Sequence, residues 1–168
     1  FADAYGGSGP SAHASPLYPL LLSIIFRILG AGHTGLVAVA IFGTALASLQ
    51  YSLVPLVAAA GRIPMQAGWL GGVLGALLPI NFWVQTKGVF EYSLSGLLMV
   101  VVSALYLHIL VSQDFRPRAS VCLGVFCGFA LLTIPPFILP LAALGVTGYY
   151  LTPSAKRGDF VWFALTHL

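Results

Sequence analysis

Charge is scarce in this sequence. Lys and Arg number seven and Asp and Glu four among 168 residues, 7% in all. A soluble domain carries about 25%. With 59% apolar residues and a mean hydropathy of +0.98, the chain cannot cover a water-facing surface. That excludes a soluble globular enzyme, a disordered tail and a coiled coil. Period-two alternation is also missing, which excludes a β-barrel. No basic run tracks phosphates, so nucleic acid is not a partner. There is no GxSxG, HExxH or Walker loop and no metal-ligand cluster. Cysteine is limited to Cys122 and Cys127. Five apart on a helix, they face different ways, which suits small core residues better than a disulfide or a metal pair. The class that remains is a polytopic, all-α membrane bundle.

Residues 1–15 (FADAYGGSGPSAHAS) are polar and Gly-rich, which reads as an external loop rather than a signal peptide. The chain opens on Phe1, and 160–168 begins an apolar run that stops. We read it as a piece of a longer protein, with a truncated helix at 160–168. Ser15-Pro16 is a helix start, Ser as N-cap and Pro at the first helical position. The helix over 16–29 would reach only about 20 Å, short of a ~30 Å hydrocarbon core, and is expected to lie in the interface. Apolar runs at 34–60, 65–84 and 89–112 are expected to span. The run at 119–151 would be about 50 Å long as a single helix. Pro135-Pro136 sits at its middle, so two short helices, 119–134 and 137–151, are expected, with a single kinked helix as the alternative. That gives about five transmembrane helices plus one interfacial helix.

Orientation follows the basic residues. With five spans, Arg62, Arg116, Arg118, Lys156 and Arg157 fall on one side and Arg27 and Lys87 on the other. The first group is expected in the cytoplasm, with the N-terminal loop external. Gly68, Gly71, Gly72 and Gly75 give overlapping GxxxG spacings, and Gly124 with Gly128 gives another. Packing within the bundle is the expected use of these small residues, with a dimer seam as the alternative.

Ionisable groups at a membrane edge are costly and so are weighed singly. Glu91 opens a span, with Lys87 four residues earlier. The pair reads either as an interfacial anchor or as a carboxylate facing an external cavity. His13, in the outer loop, is placed to touch a ligand or to be solvated. His108 lies about 25 Å along the helix from Glu91, too far to act with it.

Several segments, taken in order, resemble the bacterial GT-C glycosyltransferases, the membrane enzymes related to protein O-mannosyltransferases and the aminoarabinose transferase of lipid A. The stretch from Gly9 to Pro19 (GPSAHASPLYP) is similar to the family's "GPTA…P.YP" in its first external loop. The stretch from Glu91 to Leu98 (EYSLSGLL) is similar to the "E.SL..LL" that opens a span after the second external loop. The stretch from Gly124 to Pro140 (GVFCGFALLTIPPFILP) resembles the "G…GLA.LT.P…L..P" helix pair. Ser11 stands where Thr is commoner, and His13 where an aromatic is common.

The resemblance implies the N-terminal part of a GT-C-type module. It implies inverting sugar transfer from a polyprenyl-phosphate-linked donor to an acceptor hydroxyl on a glycan, lipid or protein. The setting would be the outer face of the bacterial inner membrane, with membrane lipid as a partner. Glu91, Lys87, His13 and Tyr18 would bind substrate. The family's catalytic Asp precedes the run that Phe1 to Gly6 resembles, so it is expected upstream of Phe1; Asp3 stands too late to be a strong substitute. This piece alone would be inactive. No metal ligand set is expected, and a divalent cation is the one cofactor left open. The competing class is a small transporter or channel subunit, or a structural membrane protein without catalysis. A transporter should carry an internal repeat with matching broken helices, and only one Pro-Pro break is present.

Overall fold

The computed structural model describes residues 16–78, 91–112, 117–133 and 135–161. Among these residues the fold is all-α, without strands. Helix α1 runs over Leu17–Leu29, one residue later than the sequence suggested. Pro16 takes the N-cap position, and Ser15 lies outside the described residues. The helix stops at Gly30, whose φ of 77° only glycine adopts cheaply.

Helix α2 (His33–Ser52) and α3 (Val54–Ala60) divide what reads as one run over 34–60. The cause is Pro55, which has no N–H to donate to the carbonyl four residues back, that of Tyr51. Leu53 keeps a helical backbone at the joint, so the helix kinks without ending. At the far end of α3 the Arg62 N–H donates to the Ala59 carbonyl, and the Ile63 N–H to that of Ala58. Those two bonds make a Schellman cap, with Arg62 in the left-handed position that glycine usually fills (φ 57°).

Helix α4 (Met65–Leu77) returns antiparallel to this pair. A Cβ at Gly68 would come within 2.6 Å of Pro55 Cα, and one at Gly72 within 2.7 Å of the Tyr51 carbonyl oxygen. These two glycines therefore let α4 lie against the kinked backbone, with Gly72 over the Tyr51 carbonyl. The packing is within the chain. Gly128 is different: nothing lies within 4 Å of the position its Cβ would take.

Helix α5 (Glu91–Ser112) is central and packs against α2, α3 and α6. Gly96 sits against Gln50, and Leu107 lies beside Gly61, so α5 runs parallel to α2–α3. Helix α6 (Pro117–Thr133) is antiparallel to α5. It gives way to a 3₁₀ turn over Pro135–Phe137 and then to α7 (Ile138–Leu151). The chain thus breaks at Pro135-Pro136, and α7 returns alongside α5, where the Tyr106 hydroxyl donates to the Leu144 carbonyl. One core cluster joins Val102, Tyr106, Ile109 and Leu110 to Leu123, Cys127, Leu141 and Phe160. Cys127 is buried there while Cys122 is exposed on another face.

The outer surface of the bundle is apolar. Leu36, Ile41, Leu70, Leu77, Leu139 and Leu151 all project outward. Among the described residues two helical stretches are long and apolar enough to cross a membrane, His33–Ala60 (28 residues, mean hydropathy 1.7) and Tyr92–Ser112 (21 residues, 2.3). Leu17–Leu29, Ala119–Thr133 and Ile138–Leu151 are shorter apolar helices. Helix α1, for which an interfacial position is expected, packs as an antiparallel partner of α2. Phe26 and Gly30 meet Gly35, while Tyr18 shares a cluster with Leu46.

Candidate functional site

Three segments meet where α5 begins and α6 ends, at the level of Leu46, midway along the His33–Ala60 stretch. Tyr18, in the first turn of α1, is 8% exposed and packs with Leu94 and Leu98 from the start of α5 and Ala130 near the end of α6. Phe137, from the 3₁₀ turn after the proline pair, packs on the same cluster, as do Leu17, Leu21 and Phe126. Each segment arrives for a local reason. Tyr18 follows the Pro16 helix start. Leu94 and Leu98 are one turn apart on α5. Phe137 is turned in by the break that two adjacent prolines impose.

Of the candidate residues, Tyr18 is in this cluster. Glu91 is the first residue of α5, one turn from Leu94, which puts its backbone near the same level; its side chain lies outside the described residues. Lys87, His13 and Asp3 also lie outside the described residues, as do Arg116 and residues 162–168. The structure therefore brings Tyr18 and the helix turn of Glu91 together and does not describe the other three.

Two hydroxyls near the cluster bond within their own helices. Ser95 Oγ donates to the Tyr92 carbonyl at 3.0 Å, and buried Thr133 Oγ1 to that of Phe129 at 2.8 Å. Among the described residues no group of three or more His, Cys, Asp or Glu comes together that could hold a metal.

One polar position escaped the sequence reading. Gln50 of α2 lies on Gly96 at the head of an open groove of about 310 Å³, lined also by Val54, Val57, Met99, Val100 and Ser103. The signal was a lone carboxamide inside an apolar run, beside which the charged residues drew the attention.

Basic residues gather at the other end of α5. Gly61 beside Leu107, and Leu144 beside Tyr106, bring the ends of α3, α5 and α7 to one level. Arg62, Lys156 and Arg157 follow those ends, whereas Arg27 closes α1 at the other end of the molecule. Comparison with protein-family models, curated proteins and solved structures returns no match.

Proposed function

We propose that this chain belongs to an integral-membrane glycosyltransferase of GT-C type, acting on the outer face of a bacterial inner membrane. The apolar stretches that contain α2–α3, α4, α5, α6 and α7 make its five spans, with α1 packed antiparallel on α2. A polyprenyl-phosphate-linked sugar is the donor. A carboxylate base takes the acceptor hydroxyl's proton as its oxygen attacks the anomeric carbon. The anomeric carbon–phosphate oxygen bond breaks, polyprenyl phosphate leaves, and the configuration inverts. Lys87 offsets the phosphate as a point charge, Glu91 accepts hydrogen bonds from sugar or acceptor hydroxyls, and His13 borders the donor, while buried Tyr18 fixes the start of α1 beside it.

The observation that carries the reading is the convergence on one cluster. The three segments that resemble the family, far apart in sequence, supply Tyr18, Leu94 and Phe137 to the same small core. The apolar exterior supports the membrane setting. The test is transfer of a radiolabelled sugar from polyprenyl phosphate in membranes carrying the full-length protein. Glu91→Gln should lower transfer by roughly a hundredfold, the scale on which a positioned polar group acts, without moving the thermal transition. Unchanged transfer would leave Glu91 as a helix-end anchor and remove it from the site.

A further inference from the structure

The basic end of the bundle presents its charge on a fixed platform. After α7 the chain makes a 3₁₀ turn over Ser154–Lys156 and continues helical through 157–161. Phe160 pins this segment: it is 1% exposed, inside the core cluster with Tyr106 and Leu141. Gly148 makes room, since a Cβ there would run into the Phe160 ring and the Tyr106 hydroxyl. Arg157 is then held at two points. Its Nε donates to the Thr152 carbonyl at 3.3 Å, and its guanidinium lies 5.1 Å from the centre of the Tyr149 ring. The terminal nitrogens of the fork make no hydrogen bond among the described residues. Lys156 beside it is exposed. Asp159 is exposed two residues on and makes no ion pair with Arg157 among the described residues.

The surface that leads to this platform is apolar. Leu139, Val146 and Tyr150 project from one stripe of α7, and Tyr150 is 73% exposed. Tyr149 and Tyr150 meet edge to face, their ring centres 5.8 Å apart. Aromatic side chains of this kind sit at headgroup level in membrane proteins.

We propose that Arg157, Lys156 and Tyr149 form a binding site for the phosphodiester of an anionic phospholipid, whose acyl chains lie along the outer stripe of α7. A guanidinium fixed by its own Nε and a stacked ring is pre-organised to give its remaining N–H groups to phosphate oxygens. The apolar stripe selects a lipid over a soluble phosphate. The inference rests on membrane placement and not on sugar transfer, so a protein inactive as a transferase would still show it.

The test is native mass spectrometry of the full chain taken from bilayers of phosphatidylcholine mixed with phosphatidylglycerol. The wild type should retain phosphatidylglycerol preferentially. Lys156→Gln and Arg157→Gln should each reduce that retention about fivefold, the contribution of one basic residue at a membrane surface. Arg157→Lys, which keeps the charge and loses the fork, should fall between. Because Lys156 is exposed, its variant folds as the wild type does and keeps the test decisive should Arg157→Gln misfold. Equal retention of the two lipids, or wild-type retention by Lys156→Gln and Arg157→Lys together, would overturn the site. Displacement of the lipid by inorganic phosphate at equal concentration would overturn its assignment to a lipid.

Discussion

At the scale of single residues, the glycines divide into two kinds that the sequence presents alike. Gly72 lies against a backbone carbonyl oxygen, 2.7 Å from where its Cβ would be, and that atom cannot rotate away. Gly72→Ala should therefore push α4 off the kink and cost about 1–3 kcal/mol, the range for overpacking. Gly128 faces open space, so Gly128→Ala should cost nothing and gain roughly 0.5–1 kcal/mol of helix propensity. Unfolding by SDS in mixed micelles measures both. Equal effects would mean that α4 does not rest on α2–α3 as described. Arg62 offers the opposite case, a long side chain in a left-handed cap where glycine is the usual choice. Arg62→Gly should raise stability by about 1 kcal/mol, because the backbone penalty for an L residue there is roughly 1–2 kcal/mol and glycine's greater unfolded entropy offsets part of it. The GxxxG pattern was legible in the sequence, but its two outcomes were not. They depend on which carbonyl the facing helix presents, and that is set by Pro55 on another element.

At the scale of elements, prolines decide where α-helix is interrupted, and they do so unequally. Pro135-Pro136 was legible as a break, because two adjacent residues without N–H groups cannot stay in one hydrogen-bond ladder. Pro55 was not, because a single proline can kink a helix without ending it, and the close approach of Gly72 that accommodates the kink comes from seventeen residues further along the chain. The placing of α1 was also hidden. Its length suggested a helix in the interface, yet its pairing with α2 depends on close contact at Gly35, where a Cβ would meet Phe26 and Gly30. For the candidate site, the order of motifs along the chain could be read, but Tyr18 is buried because α5 and the 3₁₀ turn arrive beside it. Replacing Pro135 and Pro136 together by Ala should let α6 continue as helix and carry α7 away from α5. The Tyr106–Leu144 hydrogen bond would be lost with it. Tyr106→Phe should cost about 0.6 kcal/mol, the mean for such bonds between membrane helices, and the double alanine variant should cost clearly more while helical circular dichroism stays level or rises. Equal costs for the two variants would show that the proline pair does not hold α7 in place.

At the scale of the whole molecule, the parallel course of α2–α3, α5 and α7 sets the charge layout. Each ends at the same level, so Arg62, Lys156 and Arg157 share one end of the bundle and Arg27 stands at the other. A molecule with its basic residues so divided should be inserted with the Arg62 end in the cytoplasm, since basic flanks are retained there. The prediction is tested with single cysteines in a protein whose Cys122 and Cys127 are replaced by Ala. Ser154 and Gln66 are exposed and follow the basic end, which makes them suitable probes; Ser120 is 2% exposed and would fail to react on either side. Cysteines at Ser8 and Thr86 should react with an impermeant thiol reagent on intact cells. Cysteines at Gln66 and Ser154 should react only after the cells are opened. Labelling of Gln66 and Ser154 from outside, with protection at Thr86, would invert the molecule. The cluster of Tyr18, Leu94 and Phe137 would then face the cytoplasm, away from any donor presented on the outer surface, and the transferase reading would fail. The phospholipid platform at Arg157 would survive that result, because an inverted bundle still sets it against a leaflet, and only the leaflet would change.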